Sequence, residues 1–124
     1  MIFDLTERTE KFSKDVIGFL KTIPKNFITI PIASQLVRSA TSIGANYCEA
    51  DNAVSRNDFI NKIGIVKKEV KETVYWLKIF TATIPEESVK IKELEKEANE
   101  LHLIFNSIFQ KARENLEKEQ KENF

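Results

Sequence analysis

The sequence predicts an all-α fold, an up-down-up-down antiparallel four-helix bundle with a left-handed twist. The 124 residues include only three glycines and three prolines, too few for the frequent turns of a β-sandwich or barrel. Apolar residues recur at steps of three and four, which is the spacing of amphipathic helices. A chain of this length fits one domain. We therefore expect residues 1–124 to form a single bundle, with helices at about 4–23, 31–52, 55–83 and 86–118.

The ends of the first two helices are marked by capping and breaking residues. Asp4 followed by Glu7 is a capping-box pattern, and Pro24 ends the first helix. Pro31 fits the first turn of the second helix. The second helix also has a face of small side chains, which lets another helix approach closely. These side chains are Ser34, Thr41, Gly44, Ala45 and Cys48.

The third and fourth helices follow a heptad pattern. Ser55 is a favourable N-cap for the third helix, and Pro85 separates it from the fourth. The apolar stripe of the third helix is Phe59, Ile63, Val66, Val70, Thr73, Leu77 and Phe80, and that of the fourth is Ile91, Leu94, Ala98, Leu101, Phe105, Ile108 and Ala112. Two heptad helices joined by a short connection predict an antiparallel pair. The charged stretch after Ala112 is expected to fray.

Composition excludes several classes of protein. Nineteen basic residues balance nineteen acidic ones, so the net charge does not favour nucleic-acid binding. The single cysteine excludes an internal disulfide and fits a reducing compartment. Met1-Ile2-Phe3-Asp4 does not resemble a signal peptide. No apolar run approaches the roughly 20 residues that span a bilayer. We expect a cytoplasmic protein with no membrane partner.

The third helix carries more apolar surface than one core requires. Ile65, Tyr75, Trp76 and Ile79 lie off its heptad stripe. They fit either the rim of a wide core or an oligomer interface, where buried aromatic side chains are common anchors. If these residues form an interface, Trp76 is the expected anchor, because its ring is the largest.

A set of polar residues is predicted to form a buried network between the second and third helices. In the second helix they recur at three- and four-residue steps and so share one side. The set is Gln35, Arg38, Ser42, Asn46 and Glu49 on the second helix with Glu69 and Glu72 on the third. Arg38 pairing with either glutamate fixes the register of the two helices. A binding or catalytic pocket is the alternative.

Motifs for catalysis are missing from the sequence. A di-metal site in a bundle requires Glu-x-x-His, and the only histidine, His102, follows Asn99 at that spacing. Cys48 has no Cys or His at ligand spacing and is predicted to be a buried structural thiol. There is no Gly-rich phosphate loop or nucleophile elbow. We predict no catalytic residues, no metal, no cofactor and no small-molecule substrate.

Charge is unevenly distributed between the last two helices. The third helix has more basic than acidic residues, and the fourth has the reverse. Lys67, Lys71 and Lys78 share a face of the third helix, and Lys62 is a further candidate on the same helix. These four lysines are the candidate nucleic-acid contacts. A solvated helix surface and charge matching between helices or subunits are the alternatives.

The middle of the chain resembles a known family. The stretch from Ser34 to Ala50 reads SQLVRSATSIGANYCEA, and the stretch from Lys68 to Leu77 reads KEVKETVYWL. Ser55 and Asp58-Phe59 lie between them. These motifs are similar to those of bacterial four-helix bundle proteins related to proteins encoded in 23S rRNA intervening sequences. The resemblance extends over about 12–112.

The resemblance implies a bundle that assembles into a homo-oligomer, with a pentameric ring as the best-known form. It also implies an association with nucleic acid, through the rRNA gene context and through basic relatives that assist retroelement reverse transcriptases. The present chain departs from those relatives in its zero net charge. The motif residues carry over as determinants of the bundle and its interfaces. We therefore predict a non-enzymatic, self-assembling scaffold or partner-binding module. The alternative is an RNA- or DNA-binding accessory protein.

Overall fold

The computed structural model describes residues 4–123, which form four long helices. Met1–Phe3 and Phe124, at the two ends of the predicted domain, lie outside the described residues. The helices are α1 (Leu5–Leu20), α2 (Thr29–Asp51), α3 (Arg56–Thr83) and α4 (Ser88–Glu122), and a 3-10 turn at Pro85–Glu87 precedes α4. The predicted all-α four-helix bundle is confirmed.

Contacts between neighbouring helices show that they run antiparallel. Arg38 of α2 pairs with Glu69 of α3, and Glu49 further along α2 pairs with Lys62 earlier in α3. Such crossed pairing requires opposite chain directions. Helices α2 and α4 are diagonally opposite, and they meet through core side chains such as the rings of Tyr47 and Phe105, whose centroids are 5.5 Å apart.

The starts of two helices follow the sequence prediction. The Asp4 carboxylate accepts hydrogen bonds from the amides of Thr6 and Glu7 at 2.9 and 3.3 Å. The Ser55 hydroxyl accepts one from the Asp58 amide at 3.0 Å. These side chains satisfy amides that a helix leaves without a backbone acceptor at its first turn.

The connection between α1 and α2 differs from the prediction. Helix α1 ends at Leu20 rather than near residue 23, although Ile23 is still buried in the core. Helix α2 begins at Thr29, before Pro31, because the Asn26 side chain accepts hydrogen bonds from the amides of Ile28 and Thr29. The Asn26 side chain therefore satisfies amides at the start of α2, and Pro31 lies in the first turn of this helix as predicted.

The C-terminal half of α4 is longer than predicted. The helix continues to Glu122, past the predicted end near residue 118. Arg56 at the start of α3 pairs with Glu119 at 2.7 Å, which connects the two ends. At its other end α4 is tied to α1, where the Arg8 guanidinium donates to both carboxylate oxygens of Glu97 at 2.6 Å. This bidentate pair was not predicted from the sequence.

The predicted stripes form one hydrophobic core. Its largest fully buried side chains include Phe12, Phe80 and Phe105, one each from α1, α3 and α4. Thr73, placed within the apolar stripe, is also fully buried, and its Oγ1 lies 2.9 Å from Ser39 Oγ of α2. This hydroxyl pair satisfies two polar groups inside the core. Within residues 4–123, no helix is long and apolar enough to cross a membrane.

The small-residue face of α2 receives α1 at Gly44. A Cβ built at this position lies 3.3 Å from Thr9 Oγ1. One turn earlier, the Ser13 hydroxyl donates to the Ala40 carbonyl at 3.3 Å. Helix α1 therefore approaches the α2 backbone closely at this point. Cys48, one turn beyond Gly44, is exposed rather than buried, and it lines a groove between α1 and α2 together with Thr6 and Gly44.

We expect Gly44→Leu to destabilise the protein by about 1–3 kcal/mol, since the added side chain must push α1 away from α2. Gly18→Leu is the matched control, because a Cβ there meets no atom within 4 Å and Leu favours helix over Gly. Urea unfolding followed by circular dichroism measures both free energies. Equal losses in the two variants would contradict the close approach.

Candidate functional site

The surface where α2 meets α3 carries most of the predicted site residues. On α3, positions 62, 65, 69, 72, 76 and 79 recur at three- and four-residue steps and share the side that faces α2. We call this surface the α2–α3 seam. Its α2 side consists of Gln35, Arg38, Ser42, Asn46 and Glu49, and its α3 side of Lys62, Ile65, Glu69, Glu72, Trp76 and Ile79. The structure thus brings the polar set and most of the apolar set onto one surface.

Arg38 is the centre of the seam. Its guanidinium contacts the carboxylates of Glu69, at 3.4 Å, and of Glu72, and its Nε donates to the Gln35 side chain at 3.3 Å. The Arg38 side chain remains 46% exposed, so the network lies at the surface and is not the buried network that the sequence suggested. The predicted pairing is present, whereas its burial was wrong.

Electrostatics favour the charged form of this network. The hydrogen bond from Arg38, with a smaller contribution from the Trp76 indole, holds the pKa of the Glu72 carboxyl below its usual value. The same bond to Glu72 raises the pKa of Arg38 further. The pair is therefore ionised throughout the neutral pH range.

The remaining polar residues of the seam do not join Arg38 through their side chains in the same way. The Ser42 hydroxyl donates to the Arg38 carbonyl at 2.7 Å, and the Asn46 amide donates to the Ser42 carbonyl at 2.9 Å. Both bonds lie within α2. Glu49 instead pairs with Lys62 of α3 at 3.3 Å. The predicted polar set is therefore two separate ion-pair clusters joined by helix backbone.

The candidate interface residues differ in how much of their surface is buried within their own bundle. Trp76 packs against the core, and its Nε1–H donates to Glu72 at 3.3 Å. Ile79 is half-buried, whereas Ile65 is 40% exposed and Tyr75 is 55% exposed. The Tyr75 ring meets the Trp76 ring edge-on at 5.0 Å between centroids. Of these two adjacent aromatic residues, Tyr75 therefore presents more free surface, at the outer edge of the seam.

The four candidate lysines do not form one patch. Lys62 faces α2, where it pairs with Glu49, and the Lys67 ammonium lies 4.2 Å from the ring centroid of Phe109 on α4. These two side chains leave α3 on opposite flanks. Lys71 and Lys78 are exposed, and neither forms an ion pair with the rest of residues 4–123.

Residues 4–123 contain no group of three or more His, Cys, Asp or Glu side chains that could hold a metal ion. His102 is half-buried on α4, and Cys48 lies in the groove between α1 and α2. The α2–α3 seam therefore presents paired charges beside exposed aromatic and aliphatic surface.

Comparison with known proteins agrees with this architecture. The family model described as 23S rRNA-intervening sequence protein matches residues 3–107. No curated protein matches the chain. A solved structure of a protein of unknown function from the S23 ribosomal protein family of Bacteroides thetaiotaomicron is 32% identical, with a TM-score of 0.77. The match covers 86% of this chain and 98% of that one. The chain therefore belongs to the family of 23S rRNA-intervening sequence proteins.

Proposed function

We propose that this protein is a non-enzymatic, self-assembling scaffold or partner-binding module of the cytoplasm, whose copies meet through the α2–α3 seam. The observation that carries the proposal is the exposed Tyr75 beside the hydrogen-bonded group of Arg38, Glu72 and Trp76, with the exposed Ile65 about three turns earlier on α3. A ring of five copies is the form that the family resemblance favours.

The composition of the seam fits an interface. Tyr, Trp and Arg are the residue types most enriched among those that dominate binding energy. Here Arg38 and Trp76 are held by Glu72, so they lose little side-chain freedom when a partner covers them. Ion pairs satisfied within one copy also leave no unpaired charge to be buried between two copies.

We propose Tyr75, in place of Trp76, as the anchor of the interface. Trp76 already contacts its own core, so removing it would disturb the bundle as well as any interface. Tyr75 leaves more than half of its surface uncovered and can bury it against a second copy. The proposal includes no catalytic step, because the charged groups of the seam are paired with one another.

An RNA- or DNA-binding accessory role is the second candidate. Lys71 and Lys78 are exposed on the same helix as Tyr75, and aromatic rings beside free lysines can stack bases and contact phosphates. The family description names an rRNA-intervening sequence, which gives 23S rRNA as the first ligand to test. Two available lysines predict weak, strongly salt-dependent binding.

Self-assembly is tested by light scattering coupled to size exclusion. We expect the wild type to elute as an oligomer, and Tyr75→Ser to weaken association about thirtyfold, the effect of losing about 2 kcal/mol at an interface anchor. Leu103→Ser is the matched control, since Leu103 is 70% exposed but lies on α4. A monomeric wild type contradicts the proposal. So does a Tyr75→Ser protein that assembles like the wild type.

Nucleic-acid binding is tested by electrophoretic mobility shift with a 23S rRNA fragment at two salt concentrations. If the second candidate holds, Lys71→Gln with Lys78→Gln weakens binding and lowers the slope of log affinity against log salt by roughly 1 to 2. Lys92→Gln with Lys96→Gln, exposed on α4, is the control and leaves the shift unchanged. The absence of a shift at low salt excludes this role.

A further inference from the structure

A long stretch of the chain is free of acidic residues. From Val16 to Cys48 the sequence contains no Asp or Glu, although the whole chain has 19 of them. The basic residues of this stretch are Lys21, Lys25 and Arg38. It comprises the end of α1, the α1–α2 loop and most of α2. Because Arg38 pairs with Glu69 and Glu72 of α3, the cationic part of the stretch is the corner of the bundle that carries Lys21 and Lys25.

The α1–α2 loop at this corner projects apolar side chains into solvent. Phe27 is 87% exposed, and Ile28 and Ile30 are each at least half exposed. We call these three residues, with Lys21 and Lys25, the α1–α2 tip. Large apolar groups that are grouped at a surface usually mark a contact site.

Hydrogen bonds hold the tip in its shape. The Thr29 hydroxyl donates to the Pro24 carbonyl at 2.6 Å and accepts from the Asn26 amide at 3.0 Å. The Asn26 side chain accepts from the amides of Ile28 and Thr29, and the Asn26 carbonyl accepts from Ile30. The loop therefore satisfies these amides internally. It can enter a less polar medium without leaving them unpaired.

Apolar surface continues from the tip along the two helices. Ile17, Leu20, Ala33 and Val37 line a shallow groove of about 310 Å³ between α1 and α2, whose rim includes Lys21 and Lys25. Neither lysine forms an ion pair with the other described residues. Two uncompensated positive charges therefore flank the apolar surface.

Acidic residues also lie at this end of the bundle. Glu86 and Glu87 belong to the turn before α4, and Glu87 lies beside Thr22 and Lys90 in the cleft between α1 and α4. Neither glutamate forms an ion pair with Lys21 or Lys25, and neither lines the apolar groove between α1 and α2.

We propose that the α1–α2 tip docks the protein onto an anionic lipid surface. Phe27, Ile28 and Ile30 enter the interfacial region, and Lys21 and Lys25 contact the headgroup phosphates. A convex apolar tip flanked by lysines is suited to a bilayer, whereas a peptide ligand requires a deeper groove. A second copy of the protein is also unsuitable, because tip-to-tip contact would bring Lys21 and Lys25 of both copies together and their positive charges would repel.

This contact is peripheral. The sequence-based expectation of no membrane partner rested on the missing membrane-spanning segment, and none is found among residues 4–123. A loop that enters only the interfacial region of a membrane needs no membrane-spanning segment. The proposed docking does not depend on self-assembly, since the tip and the α2–α3 seam share no residue.

Sedimentation with vesicles tests the proposal. Full-length protein is mixed with vesicles of phosphatidylcholine alone or of phosphatidylcholine with phosphatidylglycerol. We expect binding to the anionic vesicles that falls at high salt. Phe27→Ser should weaken it at least about tenfold through lost apolar burial. Lys21→Gln with Lys25→Gln should weaken it about thirtyfold.

Val54→Ser is the matched control. Val54 is 93% exposed, but it follows α2 at the opposite end of the bundle, so binding should be unchanged. Circular dichroism checks that each variant keeps its helix content. Failure of the wild type to sediment with anionic vesicles overturns the proposal. So does binding that survives Phe27→Ser, or that Val54→Ser lowers equally.

Discussion

The burial of one side of α3 is the constraint on which the rest of the structure depends. Ile63, Val70 and Leu77 are fully buried, and both α2 and α4 pack along this helix. Once that stripe faces inward, helix geometry determines where every other side of α3 points. The side toward α2 must then carry Glu69 and Glu72 to Arg38, and Tyr75 must point outward. The core therefore sets the position of the candidate interface, although no interface residue is part of the core stripe.

The sequence predicted the features that depend on local chemistry or on unbroken periodicity. Asp4 and Ser55 cap their helices as expected, because a short polar side chain just before an amphipathic helix can accept hydrogen bonds from the amides of its first turn. Features that depend on tertiary packing were missed. Ile23 suggested a longer α1 by its spacing, yet a residue can be buried without being helical. Cys48 shares a face with Gly44, yet the groove between α1 and α2 that it lines is open, so its side chain is exposed.

The ion pairs of the candidate site were predicted from the sequence, but the solvent exposure of its residues was not. Arg38 opposite two glutamates three residues apart allowed the ion pairs to be foreseen. Whether a stripe beside the core is buried or at the rim depends on a small rotation of the helix, which spacing alone does not determine. The four candidate lysines do not form one patch, for a related reason. Long flexible side chains adapt to the nearest partner, so Lys67 turns to Phe109 on α4.

The two proposed surfaces reinforce each other through symmetry. The α2–α3 seam lies on a side of the bundle, and the tip around Phe27 lies at one end, so a ring built through the seam leaves every tip free. Copies related by a cyclic axis present the same end in the same direction along that axis. A lipid surface would then meet several tips at once. Because linked weak contacts combine into much tighter binding, a tip with one exposed aromatic ring and two lysines is sufficient in an assembly even where a single copy binds weakly. The degree of self-assembly would thus control how tightly the protein binds a membrane, without any change in the tip itself.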